Sequence, residues 1–492
     1  MQAQLPALQV VLPLFGALLA AMVRRSRPAY GITVIVSLLM PVISWLLLVQ
    51  VRNEGPISYV FGNWSAELGI EYRIDLVNAL LLVLVSTVGA VIIPFARKSV
   101  AAEIPEDRIA WFYSVYLLCM CGLLGVAITG DAFNVFVFLE ISSLATYILI
   151  ALGRDRRALL AAYQYLIMGT IGATFYVIGV GMLYAMTGTL NLAMIAERIV
   201  DIETTRPVLA ALAFIVVGIS LKLALFPLHV WLPNAYAYAP SFATVFLAAT
   251  ATKIAIYLFV RFLFSVFGVG LVFTDLPVSF ILIVLSVAAM FGAATVAVFQ
   301  SDIKRMLAYS SVGQIGYITL GIALANLNGL TGGMVHVLNH ALIKGALFMA
   351  IGAVVFRAGS CAIEDIAGIG RRMPITMSAF VIAGFGLIGV PGTAGFVSKW
   401  YLIIASLDKG WWWLAFLIVA SSVIAVVYVG RVIEVAWFRE PNDALKGVKD
   451  PPLEILAPIL IMVFAIVYFG VDADLTAGLA SEAAEALLAG LR

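Results

Sequence analysis

Uninterrupted apolar runs of about 20 residues recur from one end of this 492-residue chain to the other, and they decide what it can become. Wound as an α-helix, about 20 residues cover roughly 30 Å, the thickness of a bilayer's hydrocarbon core. Barrel strands would alternate in polarity every second residue, and these runs do not. About fourteen spans can be placed, near residues 5–22, 30–51, 76–96, 109–129, 132–152, 160–186, 207–226, 241–264, 275–299, 306–325, 331–356, 375–404, 411–437 and 453–471. Only 11% of the residues are charged and 63% are hydrophobic, against roughly 25% charge in a soluble domain. The expected fold class is an all-α integral membrane protein. A net charge of +2 gives no ground for a nucleic-acid partner.

Basic residues set the orientation, because loops rich in Lys and Arg stay cytoplasmic. Of the 29 basic residues, 18 fall in loops on one side, including the clusters Arg24/Arg25/Arg27, Arg154/Arg156/Arg157 and Arg371/Arg372. The other side holds 7: Arg52, Arg73, Arg198, Arg206, Arg261, Lys409 and Arg492. With an even number of spans, both termini are expected outside a multi-pass protein of the cell's inner (plasma) membrane. The first apolar run precedes its arginines, the wrong order for a cleaved signal peptide, and reads as a retained anchor. Cys119 and Cys121 lie two apart on one span and Cys361 in a loop, which offers neither a disulfide framework nor a metal-ligand spacing. No cofactor or metal is expected.

Four lysines lie inside spans: Lys222, Lys253, Lys344 and Lys399. With Glu140 they make five ionisable groups near mid-membrane. At roughly 2.5–3.5 kcal/mol each, five unpaired groups would cost on the order of 12–18 kcal/mol, as much as the whole stability of a typical protein. They must be paired, hydrated or neutral. Glu140, with Ser142, Ser143 and Thr146 nearby, fits two roles: a carboxylate that fixes helix packing, or the partner of Lys222. The second is preferred, since attraction to a carboxylate favours a charged lysine and burial disfavours it, and a group poised between the two can load and release a proton.

The stretch GISLKLALFPLHVWLPNAYAYAPS places Lys222 five residues before Pro227, with Pro233 following. Proline lacks its N–H and clashes with the carbonyl four residues back, so Pro227 is expected to free the carbonyl of Leu223 and Pro233 that of His229. Broken backbone at membrane depth survives only against protein or a water-filled cavity. Span 12 repeats the theme: Pro391, Gly392 and Gly395 break it, and Lys399 follows. Span 11 carries His336, His340 and Lys344 at i, i+4 and i+8, one stripe of a helix. Such a histidine pair can bind zinc, but no acidic or cysteine ligand accompanies it, so a hydrated proton relay is preferred. Spans 4–8 and 9–13 each hold five helices with the broken one fourth, the pattern of inverted repeats around a transport site. The expected organisation is peripheral spans 1–3 (residues 1–108), a first repeat (109–265), a second (266–440), then span 14 and a short external amphipathic tail (441–492). Lys304 and Arg305 are expected to set topology, and Arg431 to pair with Glu434, snorkel or gate the inner mouth.

Four motifs in order, GISLKLALFPLHVWLPNAYAYAPS, DIKRMLAYSSVGQIGYI, HVLNHALIKGALFM and TAGFVSKWYL, resemble the antiporter-like subunits of respiratory complex I, membrane-bound hydrogenases and Mrp-type cation/proton antiporters. The resemblance covers spans 4–13. It implies a fourteen-helix fold with two inverted five-helix repeats and a central hydrophilic axis. It also implies Glu140 and Lys222 as a coupled pair, Lys253 with His336, His340 and Lys344 as the connecting relay, and Lys399 as the terminal lysine of the second half. The M-type member of complex I has a glutamate where this chain has Lys399, and the chain ends soon after span 14 without a lateral helix. The pattern is thus most similar to the D-type member of Mrp antiporters, with the hydrogenase-associated member and the N-type member of complex I behind it. The implied partners are other membrane subunits, protons and Na+.

Three functions follow from these features: a proton-translocating subunit of a Na+/H+ antiporter, the proton-pumping subunit of a redox complex, or a stand-alone secondary transporter. The cysteine set cannot build an iron–sulfur cluster, so under any of them this chain carries no electrons itself. Four wall helices without buried charge disfavour the third.

Overall fold

The computed structural model describes residues 4–67 and 69–489, so Arg492 and the last residues of the tail lie outside the described residues. The first half runs α1 (Leu5–Val23), α2 (Ser26–Glu54), a hairpin of β1 (Ile57–Val60) and β2 (Glu71–Ile74), α3 (Leu76–Glu103), α4 (Ile109–Ile128), α5 (Ala132–Ala151) and α6 (Arg156–Thr187). It continues through α7 (Leu192–Arg198), α8 (Arg206–Leu223), α9 (Trp231–Tyr238) and α10 (Ser241–Val260). The second half comprises α11 (Val278–Val298), α12 (Ile303–Leu324), α13 (Leu327–Ala358), α14 (Pro374–Ile388), α15 (Ala394–Asp408), α16 (Trp412–Phe438), α17 (Leu453–Val471) and α18 (Asp474–Leu488).

Among the described residues, thirteen helices are long and apolar enough to cross a membrane. The fourteenth expected span is the pair α14 and α15, at 15 residues each. Each is about 22 Å long and falls short of the hydrocarbon thickness alone. Together they complete the crossing. The fold is an all-α integral membrane bundle.

Short polar residues start these helices. Asp75, Asp131, Asp155, Asp302 and Asn326 each accept a backbone N–H of the first turn, and Asp75 with Asn78 forms a reciprocal capping box. The loops sort into two groups. On one face Arg52 meets Glu482 at 2.6 Å, Arg198 meets Glu67 at 2.6 Å, and Asp131 bridges to Asn191. On the other, Asp302 bridges to Ala362, Arg97 meets Glu454 at 3.5 Å, and Arg357 donates to the Asp450 carbonyl at 3.0 Å. Every such contact joins segments that the alternation of spans puts on one side.

Four expectations change. Span 3 is no peripheral wall: α3 packs against α4, α10, α13 and α17 and buries most of its faces. An uncharged helix reads the same whether lipid or protein covers it. Lys304 is buried, donating to Ser241 Oγ at 2.9 Å, while Glu103 accepts the Ser241 N–H at 2.8 Å. It therefore ties α12 to the start of α10 in addition to any topological role. Arg431 does not pair with Glu434; it donates to the carbonyls of Val298 and Gln300, and Glu434 takes Arg439 at 3.1 Å. Pro233 breaks nothing. It lies in the first turn of α9, where its missing N–H costs no helical bond, and the His229 carbonyl accepts Leu232 N–H at 3.0 Å.

The two halves of the broken α14–α15 crossing touch closely at glycines. A Cβ at Gly395 would land on the carbonyl oxygen of Gly386. Gly395→Ala is therefore expected to lower the melting temperature of the purified complex sharply, since backbone cannot yield as a side chain can and overpacking alone costs about 1–3 kcal/mol. Gly430→Ala, which meets open space, is the control. Equal melting of the two variants would contradict the close approach.

Candidate functional site

Glu140 stands on α5 and Lys222 in the last turn of α8. The Lys222 Nζ lies 3.5 Å from Glu140 Oε1 and donates to Ser143 Oγ at 2.6 Å. At an effective dielectric near 20 such a pair attracts by about 5 kcal/mol, comparable with the several kcal/mol that burying an ion costs. Glu140 keeps a quarter of its side chain exposed (24%), whereas Lys222 is enclosed (6%).

The helix stops just past Lys222 because Ala224 turns left-handed, at φ 60°. The Ser220 carbonyl accepts both Ala224 N–H and, at 3.0 Å, Leu225 N–H, which leaves the Leu221 carbonyl to accept the indole N–H of Trp231 at 2.9 Å. Trp231 stacks flat on Tyr165 at 3.8 Å. The indole thus takes the carbonyl that the break releases at Leu221 and ties α9, beyond the irregular segment with Pro227 and His229, back to the end of α8. Beside Lys222 a cavity of about 20 Å³ opens between Ser142, Ser143, Thr146 and residues Ala251, Ile254 and Ala255 of α10. A water needs roughly 10–15 Å³ and two or more polar partners. The cavity has both, and it points from Lys222 toward the helix that carries Lys253.

Lys253 is fully buried on α10 and bonds the Ala248 carbonyl and Thr252 Oγ1. α10 packs against α13, the helix that carries His336, His340 and Lys344. The two histidine rings lie 6.0 Å apart and nearly parallel. His336 contacts Ser398 Oγ at 2.7 Å and Gln314 Oε1 at 2.9 Å, whereas neither ring nitrogen of His340 has a partner among the described residues. A buried polar group left open in this way is a place for water or for a moving proton. Lys344 donates to the Leu307 carbonyl at 2.8 Å and to Ser310 Oγ.

Lys399 ends the series. The second break, with Gly389 and Gly392 at φ 90° and 83° and Pro391 between them, exposes the last carbonyls of α14. Lys399 Nζ takes two of them, Leu387 at 3.2 Å and Ile388 at 2.8 Å, together with Ser422 Oγ at 2.9 Å on α16. It also sits 4.5 Å over the ring of Tyr317, whose hydroxyl contacts Ser421 and Ser422 at 2.7 and 3.2 Å.

All seven expected ionisable residues thus fall on five helices, α5, α8, α10, α13 and α15, with Glu140 and Lys222 in contact and α8 packed on α10, α10 on α13 and α13 on α15. Gln314, Tyr317, Ser398 and Ser422 join them and were not singled out from the sequence. A polar residue in a strongly apolar span was the available signal, but Ser and Tyr are common enough in membrane helices to hide it.

A sequence profile described as the NADH:quinone oxidoreductase/Mrp antiporter transmembrane region matches residues 129–425. NADH-quinone oxidoreductase subunit N of Desulforudis audaxviator (strain MP104C) is 42% identical over 489 residues, 96% of each chain. A chain of the membrane-bound sulfane sulfur reductase, an archaeal respiratory membrane complex, superposes with a TM-score of 0.90 at 33% identity, over 99% of this chain and 100% of that one. A chain of the Mrp complex from Dietzia sp. DQ12-45-1b superposes with a TM-score of 0.89 at 26% identity, over 100% and 99%. A profile spanning more than half the sequence and a relative matched from end to end agree, and the chain belongs to the NADH:quinone oxidoreductase/Mrp antiporter family of integral membrane proteins.

Proposed function

We propose that this chain is the proton-translocating subunit of a multisubunit membrane complex, moving protons along the file Glu140–Lys222–Lys253–His340–His336–Lys399. The observation that carries the reading is the file itself: buried ionisable groups on five adjacent helices, pivoting on two broken ones. Opening the Glu140–Lys222 pair releases a proton from Lys222 to the adjoining polar cavity and toward Lys253. The histidine pair passes it on, and Lys399 holds it against the carbonyls of the second break.

The two inverted five-helix repeats belong to the same reading. The pairings α4–α5, α5–α6 and α6–α8 recur as α11–α12, α12–α13 and α13–α15, and α10 packs on α4 and α8 as α16 does on α11 and α15. The Arg/Lys-rich face is cytoplasmic and both termini lie outside the plasma membrane.

The parent complex follows one of two lines. A Na+/H+ antiporter of the Mrp type, with this chain in the place of its D-type member, accords with the corresponding Na(+)/H(+) antiporter protein of Bacillus subtilis (strain 168), 27% identical over 98% of the chain. A redox-driven respiratory complex accords with the 42% identity to a subunit N. Purifying the tagged chain with its partners separates them: small antiporter subunits support the first, quinone-site or iron–sulfur subunits the second. The file is tested in either parent by Glu140→Gln, which keeps the shape and removes the charge opposite Lys222. Proton translocation is expected to shift in pH dependence or to stop; an unchanged profile would rule out the tuning role of Glu140.

A further inference from the structure

A cavity of about 680 Å³ lies on the face opposite the Arg/Lys-rich loops, and none of the groups in the file lines it. It is walled by α7, the start of α3 and the irregular chain after α10, and its charged lining is Arg73, Asp75, Glu197, Glu203, Arg261 and Asp275. Four acids against two bases make it attractive to cations, including a hydrated proton.

Its floor is built on one stripe that runs from α10 into the first residue after it. Lys253, Tyr257 and Arg261 stand at i, i+4 and i+8 and so share a face. Arg261 closes the floor: its Nη2 lies 2.7 and 2.8 Å from the two carboxylate oxygens of Asp75, and its Nε donates to Tyr257 Oη at 3.2 Å. Tyr257 lines the vestibule and also a second cavity of about 30 Å³ directly below, which contains Lys253 and Val260. That lower chamber is otherwise apolar, walled by Leu80, Leu81 and Val337. It has the volume for a water but few polar partners to hold one, the character of a constriction that gates by wetting. The helix above it is π-wound over Arg261–Val266 and again over Gly270–Asp275, with Gly268 at φ 82° between them. π-wound backbone is rare and is frequently found at functional sites.

We propose that this vestibule is a port through which Lys253 exchanges protons with the face opposite the basic loops, with the Asp75–Arg261 pair and Tyr257 as its gate. The inference rests on the relay reading above and adds to it an opening at the middle of the file that works together with Lys399, so that transport needs both. Asp75 holds the gate shut and caps α3 at once; asparagine preserves the cap and removes the charge that pins Arg261.

The test uses the intact complex in sealed vesicles, with Ser265→Cys on the vestibule wall and Val260→Cys below the gate. A membrane-impermeant cationic methanethiosulfonate is added to each side in turn, with the unsubstituted chain as the blank. Val260→Cys is expected to react only from the side that reaches Ser265→Cys, at least tenfold faster when Asp75→Asn is also present, and its modification is expected to stop proton translocation. Equal labelling rates with and without Asp75→Asn, or translocation untouched by the adduct, would overturn the port. Failure of the relay itself looks different: Lys222→Ala would keep full transport while the labelling pattern stayed as stated.

Discussion

Lys222→Ala is expected to lower proton-coupled transport in native membrane vesicles by at least roughly 100-fold, the low end of what removing an obligate proton-transfer group costs. The complex should still assemble. Lys222 has two side-chain partners, and neither is locked to it: Ser143 is a hydroxyl that can turn to a backbone carbonyl, and Glu140 is not fully enclosed by the chain. The backbone break beside it does not depend on the lysine either, since the Trp231 indole takes the freed Leu221 carbonyl. What disappears is the one group that can carry a charge between Glu140 and the polar cavity facing α10. Proton uptake measured with a pH-sensitive dye, beside a blot for the assembled complex, reads both outcomes. Assembly with full transport would mean that protons bypass Lys222, and the file would lose its first member.

Much of this architecture was legible beforehand because length and hydropathy are nearly sufficient to place membrane helices. The span limits near 109–129 and 453–471 differ from α4 and α17 by at most one residue. Buried lysines stood out for the same reason: in an apolar segment a charge must be paired, hydrated or neutral. The remainder depended on contacts that a single sequence does not encode. The hairpin Ile57–Ile74 consists of two four-residue strands, too short for alternation to show. Pro233 looked like a breaker by type, and only the start of α9 at Trp231 makes it harmless. Lys304, at the end of a loop beside Arg305, gave no sign that Ser241 and Glu103 would draw it inside. Arg261 was counted as a loop charge on the sparsely basic face, whereas it closes the floor of a cavity. Tyr317 and Ser422 gain their meaning only where α12 and α16 meet Lys399.

Lys399→Ala and Lys399→Arg are expected to fail in different ways, and the difference separates structure from transport. The lysine ammonium is the donor for two carbonyls that the break at Gly389 leaves without helical partners. Alanine removes that donor, and an unpaired buried carbonyl costs about 1–3 kcal/mol each, so this variant should lose transport and also melt at a lower temperature. Arginine supplies donors and keeps the positive charge over the Tyr317 ring. It cannot give up its proton in a protein. Lys399→Arg should therefore retain most of the thermal stability and lose proton translocation by at least roughly 100-fold. The pair of measurements is melting of the purified complex and dye-reported proton flux in vesicles. If arginine restored flux along with stability, Lys399 would be a fixed charge that braces the second break, and the proton would have to leave the file before reaching it. The vestibule above Lys253 would then be the remaining way out.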